Sequence, residues 1–364
     1  MNHTLLTVSG VIDHNIEAQI GRGERPQADY IAMARAFNAD ILDHTLARRQ
    51  TGRTGRLLER MGGANLLLAW AAFRKRRFYR AIFTDGEQVG LPLALLLKTV
   101  GGHLRPRHLM IGHLLSAKKK RPFFDTLRLQ THIDTIFVYA TWQQRFAQER
   151  WQLPSRQVIF TPFMVDADFF APSPARHAAL PVEIDPQRPL ICAVGLEFRD
   201  YPTLLAAVRN LDVQVVIAAA SPWSKRGDST ANEEIPSNVI VHRFSQFELR
   251  ELYARSQFVV VPLYETPFQA GVTTLLEAMA MEKAVICTRT AGQTDVVAHE
   301  LTGLYVPPAD ADALRAAICR LLQNPGEARR MGQAGRQLIL KEMSLDHYTT
   351  RLNRYVQTLA NNGE

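Results

Sequence analysis

An α/β protein of two domains, each built around a parallel sheet, is what this sequence predicts. Short runs rich in β-branched residues alternate with helical patterns through both halves of the chain, the arrangement of strands joined by helical crossovers. The stretch Ala171-Pro-Ser-Pro-Ala-Arg-His-Ala-Ala-Leu-Pro181 breaks that alternation and reads as a linker. A chain of 364 residues also exceeds what one hydrophobic core usually supports, so two cores are expected.

Taken in order, strands are expected at 4–8, 40–42, 81–84, 108–111, 136–139 and 158–161, each a compact apolar run between turn or polar residues. A second set follows the linker at 190–194, 213–218, 239–241, 258–261 and 285–288. Residues 345–359 have helical periodicity. The resulting division is a first domain over 1–171, a linker over 172–188, a second domain over 189–344 and a C-terminal helix over 345–364.

Apolar content of 46% and charged content of 21% are ordinary globular values. Cys192, Cys287 and Cys319 sit singly in apolar runs without metal-ligand spacing, which points to reduced thiols and a cytoplasmic protein. The start, Met1-Asn-His-Thr-Leu-Leu, lacks a basic region followed by a long apolar core, so no signal peptide is expected. No apolar run approaches the length of a membrane span.

Charge is uneven. Residues 1–170 carry 24 Lys+Arg against 14 Asp+Glu, and the rest of the chain is slightly acidic. Arg48, Arg49, Arg53, Arg56 and Arg60, with Arg74-Lys-Arg-Arg77, flank Asn65-Leu-Leu-Leu-Ala-Trp-Ala-Ala-Phe73 and are expected on one amphipathic helix. A basic face beside exposed aromatics favours an anionic membrane surface, placing the protein peripherally on its inner face. The bland alternative is a set of solvated helix faces, with Arg74 to Arg77 complementing a helix C-terminus. No nucleic-acid motif accompanies the charge.

The segment Gln269-Ala-Gly-Val-Thr-Thr-Leu-Leu-Glu277-Ala-Met-Ala-Met follows the run Phe258-Val-Val-Val-Pro-Leu263 and reads as strand, loop and helix. Such a unit presents unpaired N–H groups at the positive end of a helix, an anion site suited to a diphosphate. Glu277, one turn in, is placed to grip ribose hydroxyls. Alternatively, Thr274-Leu-Leu-Glu277 fits a capping box that serves only the helix. Beyond it come Ala284-Val-Ile-Cys-Thr288, Ala291-Gly-Gln-Thr-Asp-Val-Val297 and Thr302-Gly-Leu-Tyr-Val-Pro-Pro-Ala-Asp310.

This succession, over 259–310, resembles the nucleotide-sugar-binding half of the family 4 glycosyltransferases. A weaker likeness runs from Pro189 onward, and the first half matches in layout. The resemblance implies a GT-B architecture, two Rossmann-like domains facing across a cleft, with the C-terminal helix crossing back onto the first. It also implies a retaining transferase that takes sugar from a UDP- or GDP-linked donor. The family usually carries two glutamates in this loop and helix. The second falls on Glu277 and the first on Gln269, which hydrogen-bonds sugar hydroxyls but carries no charge. Glu265 lies upstream as a substitute if the loop folds differently.

Gly271, Val272, Thr273 and Thr274 stand where the family's phosphate-binding turn lies. In Gly195-Leu-Glu-Phe-Arg199, relatives place two basic residues; here Leu196 takes the first position and Arg199 is the one left for a bidentate phosphate contact. Phe244 falls where the family seats the nucleobase. His113, ending the run Leu109-Met-Ile-Gly-His113, inherits contact with the transferred sugar, against a structural reading shared with His103 and His108. On the acceptor side, Gly10 belongs to an opening loop that lacks the family's paired glycines. Asp85 and Glu87 follow a predicted strand, where α/β proteins collect ligands, although Glu87 also suits the start of a helix over 88–98.

Asp166-Ala-Asp168 and Asp310-Ala-Asp312 invite a metal reading, but Asp310 suits a helix N-cap and the first pair lies in a domain-exit segment. No metal and no cofactor are expected. The reading is a glycosyltransferase acting on a glycan or lipid-linked acceptor. A sugar-nucleotide epimerase of the same fold, and a catalytically silent binding or scaffold protein, are the alternatives, the last motivated by Gln269 and Leu196.

Overall fold

A computed structural model describes residues 3–102, 105–173, 179–219 and 234–361. His103, residues 174–178 of the expected linker and the last three residues lie outside the described residues. The chain divides into two compact units: Met1–Ala18, Gln27–Thr161 and Asp346–Glu364 make the first, and Gln19–Pro26 with Pro162–Leu345 the second.

The first unit contains β1 (Thr4–Thr7), β2 (Ala39–Leu42), β3 (Ala81–Thr84), β4 (Arg107–Gly112), β5 (Thr135–Val138) and β6 (Val158–Phe160). They form one six-stranded sheet in the order β2-β1-β3-β4-β5-β6, parallel at every pairing. The second contains β7 (Leu190–Val194), β8 (Gln214–Ala218), β9 (Val239–His242), β10 (Phe258–Val261), β11 (Ala284–Thr288) and β12 (Gly303–Val306). Its order is β12-β11-β10-β7-β8-β9, again parallel throughout. All eleven expected strands form within two residues of their predicted ends; β12 was not anticipated.

Parallel sheets are covered on both faces, so their strands are apolar on both sides. In the second unit, alternate residues feed two cores. Cys192, Val194, Val216, Val259, Val261 and Val285 enter one, while Ile191, Ala193, Val215, Ile217, Val260 and Ile286 enter the other. Val165, Phe169 and Phe170 belong to the first of these cores. The chain enters and leaves the unit side by side, with Val165 N–H donating to Met343 O at 3.0 Å and Leu345 N–H to Val165 O at 2.9 Å.

The expected single amphipathic helix around 48–77 is corrected. His44–Lys75 is helical overall, but Gly52 (φ 59°, ψ −136°) and Gly63 (φ 79°, ψ 176°) break it, conformations that glycine tolerates best. Leu67, Leu68, Ala71, Ala72 and Phe73 are buried against β1 and β3 residues, not presented to solvent. The exposed apolar side chains belong instead to the middle piece, Leu57 at 58% and Met61 at 74%. Among the described residues, no helix is long and apolar enough to cross a membrane.

Each sheet has a switch point where the strand order reverses, between β1 and β3 in the first unit and between β7 and β10 in the second. Ligands of open α/β sheets bind outside the carboxyl ends of the strands at such points. The candidate residues follow these ends or the strand beside them, except Phe244, which follows the edge strand β9.

Candidate functional site

In the second unit, β7 ends at Val194 and runs into Gly195, while β10 ends at Val261 and leads through a loop to the helix Val272–Ala280. Arg199 folds back between these two ends. Its Nε donates to Val194 O at 2.8 Å, its Nη1 to Glu197 O at 2.9 Å and its Nη2 to Thr274 Oγ1 at 3.1 Å. The guanidinium is thus closed on the protein, not held open as the bidentate fork expected from the sequence. Its pKa is lowered by burial, and the charge stays beneath the helix start.

Two glycines make room for it. Gly195 (φ 106°) and Gly271 (φ 76°) both lie in the left-handed region. A Cβ on Gly195 would collide with the Arg199 guanidinium, and one on Gly271 would stand 2.8 Å from Val261 Cγ1 and 3.3 Å from Arg199 Nη1. Gly271 is also the residue preceding the helix, with no side-chain cap. The N–H groups of Val272, Thr273 and Thr274 are therefore the orphan donors of a first turn, aligned with the positive end of the helix dipole.

Thr274 sits inside the helix and bonds Arg199 and, through Oγ1, Val194 O at 3.3 Å. The capping-box alternative for Glu277 accordingly fails. Glu277 lies in the second turn, where its Oε2 accepts from Tyr253 Oη at 2.8 Å. Burial pushes its carboxyl up to about 7, against the Tyr253 hydrogen bond and the Arg199 charge, which both favour ionisation. Such perturbed carboxyls cluster at functional sites.

Gln269 is 8% exposed, and its Oε1 is buried without a hydrogen-bond partner among the described residues. Buried acceptors are normally satisfied. The loop that carries it is braced from behind: Gln293 Nε2 donates to Ala270 O at 2.8 Å, and Gly292 N–H to Thr266 O at 3.1 Å. Glu265 accepts from Ala291 N–H at 3.1 Å, a structural bond in the same brace. Phe244 follows the edge strand β9 and stands against His242, ring centroids 5.1 Å apart. Leu196 packs on the second core of the unit.

In the first unit, the loop after β1 meets the loop after β3. Asp85 accepts from Ser9 N–H at 2.6 Å and from Ser9 Oγ at 2.7 Å. Burial raises its pKa to about 6 despite those bonds and the nearby His113. Gly10 continues this loop, its carbonyl accepting from His44 N–H at 3.0 Å. His113, exposed after β4, bonds the Asp85 carbonyl through Nε2 at 3.0 Å. Its competitor His108 is fully buried, pushed down to about 4, and bonded to Thr84 Oγ1 and His132 O.

Glu87 opens the helix Glu87–Thr99 but does not cap it. Its carboxylate accepts from Leu114 N–H at 2.7 Å and pairs with Lys120 at 2.5 Å, and Lys120 and His113 help hold its pKa low. It therefore anchors the segment after His113. Asp166 accepts from the N–H groups of Asp168 and Phe169, and Asp310 caps Ala311–Gln323. No cluster able to hold a metal ion occurs among the described residues.

Three contributors were not anticipated from sequence: Tyr253, Gln293 and Asp29. Asp29 is coupled electrostatically to His113, and burial raises its pKa. Each acts across a sequence separation that leaves no local pattern.

Residues 194–324 match the family model described as Glycosyl transferases group 1. Alpha-maltose-1-phosphate synthase of Mycobacterium tuberculosis is 31% identical over 201 residues, 50% of this chain and 51% of that one. The alignment thus spans about half the length of this curated relative. Among solved structures, sucrose-phosphate synthase from Thermosynechococcus elongatus superposes with a TM-score of 0.70 at 19% identity, covering 99% of both chains. HepE of Anabaena, in complex with UDP-glucose, gives 0.65 at 10% identity over 98% of this chain and 99% of its own. At such identities the likeness establishes architecture. The chain has the GT-B fold, and its second unit carries the stretch that matches the glycosyl transferases group 1 family.

Proposed function

We propose that this protein is a glycosyltransferase that moves a sugar from a UDP- or GDP-linked donor to a glycan or lipid-linked acceptor, with retention of configuration and without a metal. The observation that carries the proposal is the second unit's switch point. There a buried cationic Arg199 from the loop after β7 meets the loop and helix after β10, which bring the open helix start after Gly271 and the carboxyl of Glu277. The diphosphate rests on the N–H groups of Val272, Thr273 and Thr274, and charge developing on the leaving diphosphate is stabilised by that preorganised field. Arg199 contributes its charge and fixes the turn. Glu277 takes the ribose hydroxyls, and Gln269 spends its orphan Oε1 on a donor-sugar hydroxyl.

The acceptor belongs to the first unit and the donor to the second. His113 orients the transferred sugar, with Gly10, Asp85 and Glu87 shaping the acceptor side. Support from relatives is of the same kind: HepE was crystallised with UDP-glucose, and the curated relative is a synthase of a sugar phosphate. Leu57 and Met61, exposed among Arg53, Arg56 and Arg60, give the first unit a face for an anionic membrane.

A panel of UDP- and GDP-sugars tests the proposal, with free nucleotide, free sugar and donor identity read together in the presence of EDTA. Release of nucleoside diphosphate from one donor is expected. Tight binding without release marks a silent binder, and conversion of the donor sugar with the nucleotide intact marks an epimerase.

A further inference from the structure

A cavity of ≈ 910 Å³ opens in the first unit between the helix Leu345–Asn361, the edge strand β6 and the loops leading into β5 and β6. It reaches Arg105, Asp134 and Thr135 at the amino-terminal ends of β4 and β5. None of Gly10, Asp85, Glu87 and His113 lines it, so the cavity is distinct from the candidate acceptor site. Its volume is that of a site for a small molecule.

The lining has two characters. Half-buried Ile159, Tyr355 and Leu359 supply an apolar wall, backed by fully buried Phe137, which meets Tyr355 edge to face at 5.3 Å between centroids. Around it stand Arg105, Arg156, Arg351 and Arg354, against the single carboxylate of Asp134. That carboxylate is already committed to Arg105 at 2.8 Å, Arg107 at 3.0 Å and the His108 N–H at 2.8 Å. Arg351 donates to Thr161 Oγ1. Arg156 and Arg354 are exposed and form no ion pair among the described residues. A surplus of guanidinium charge therefore borders an apolar wall, which is complementary to a molecule with one anionic head and one hydrocarbon chain.

We propose that this cavity binds a single-chain amphiphile with a phosphate head, the chain lying on Ile159, Tyr355 and Leu359 and the phosphate on Arg156 and Arg354. Such a ligand is either a lysophospholipid or a free alkyl or prenyl phosphate. The inference does not depend on the transfer reaction, because binding is read without donor or acceptor.

The test is calorimetric titration of the full chain with dodecyl phosphate below its micellar concentration. Saturable one-to-one binding is expected, weakening about fourfold for each methylene removed in decyl phosphate. Inorganic phosphate and dodecanol should each bind at least tenfold more weakly. Arg156→Glu with Arg354→Glu changes only exposed side chains and should cost more than tenfold in affinity at unchanged Tm, and Ile159→Trp should block the chain. Lysophosphatidic acid, titrated in parallel, separates the sources: equal or tighter binding assigns a phospholipid, weaker binding assigns an alkyl or prenyl phosphate. Wild-type affinity in a folded double variant, or equal binding of dodecanol, overturns the proposal.

Discussion

Replacing Glu277 by glutamine should move stability and ligand affinity in opposite directions. Burial pushes the carboxyl up to about 7 from the ordinary glutamate value of 4.5. The folded state therefore holds a proton that the unfolded chain gives up between those values, and wild-type stability falls as pH rises through that window. At pH 8 the shift corresponds to about 3 kcal/mol of destabilisation in the ligand-free protein. Glu277→Gln removes that cost while its carbonyl still accepts from Tyr253, so the variant should melt roughly 6–12 °C higher at pH 8 and differ little at pH 5. Donor binding should weaken about 10- to 150-fold, the worth of a hydrogen bond to a charged group. Thermal melts at both pH values with a parallel titration of nucleoside diphosphate decide it. A variant no more stable at pH 8 than wild type, or one with unchanged affinity, refutes the reasoning.

Arg199→Lys should lower both the melting temperature of the second unit and donor affinity, because an ammonium cannot serve Val194 O, Glu197 O and Thr274 Oγ1 together; a melt and a titration at wild-type values would place the guanidinium outside the site's framework. Gln269→Ala should cut transfer by about tenfold or more while nucleoside diphosphate affinity holds, since a sugar contact worth about 1.5 kcal/mol is lost. Gln269→Glu should retain or raise activity, and equal turnover in Gln269→Ala would remove the side chain from the reaction. Leu57→Asp with Met61→Asp should abolish sedimentation with anionic vesicles without altering donor binding, and unchanged sedimentation would dismiss that face.

Strands were legible because compact β-branched runs buried on both faces announce themselves locally. β12 escaped because Gly303-Leu-Tyr-Val306 is short, opens with glycine and leaves Tyr305 half-buried. The breaks at Gly52 and Gly63 escaped for a different reason: glycine fits a helical pattern in sequence, and only the packing of the segment reveals its positive φ. The anion-site turn was readable from Gly271 and the apolar helix behind it. What surrounds it was not. Arg199 finds its acceptors at the end of β7 and in Thr274, 75 residues away, and Tyr253 reaches Glu277 across 24. Such partners are set by the parallel order of β7 and β10, which no local spacing encodes.

The central claim is that the donor sits at the carboxyl ends of β7 and β10. Amide hydrogen exchange, with and without a saturating nucleotide sugar chosen from the donor panel, tests this most directly. Protection should concentrate at residues 194–201 and 269–277, with the largest change at the N–H groups of Val272 to Thr274. Binding that leaves these segments unprotected and slows exchange elsewhere would contradict the account.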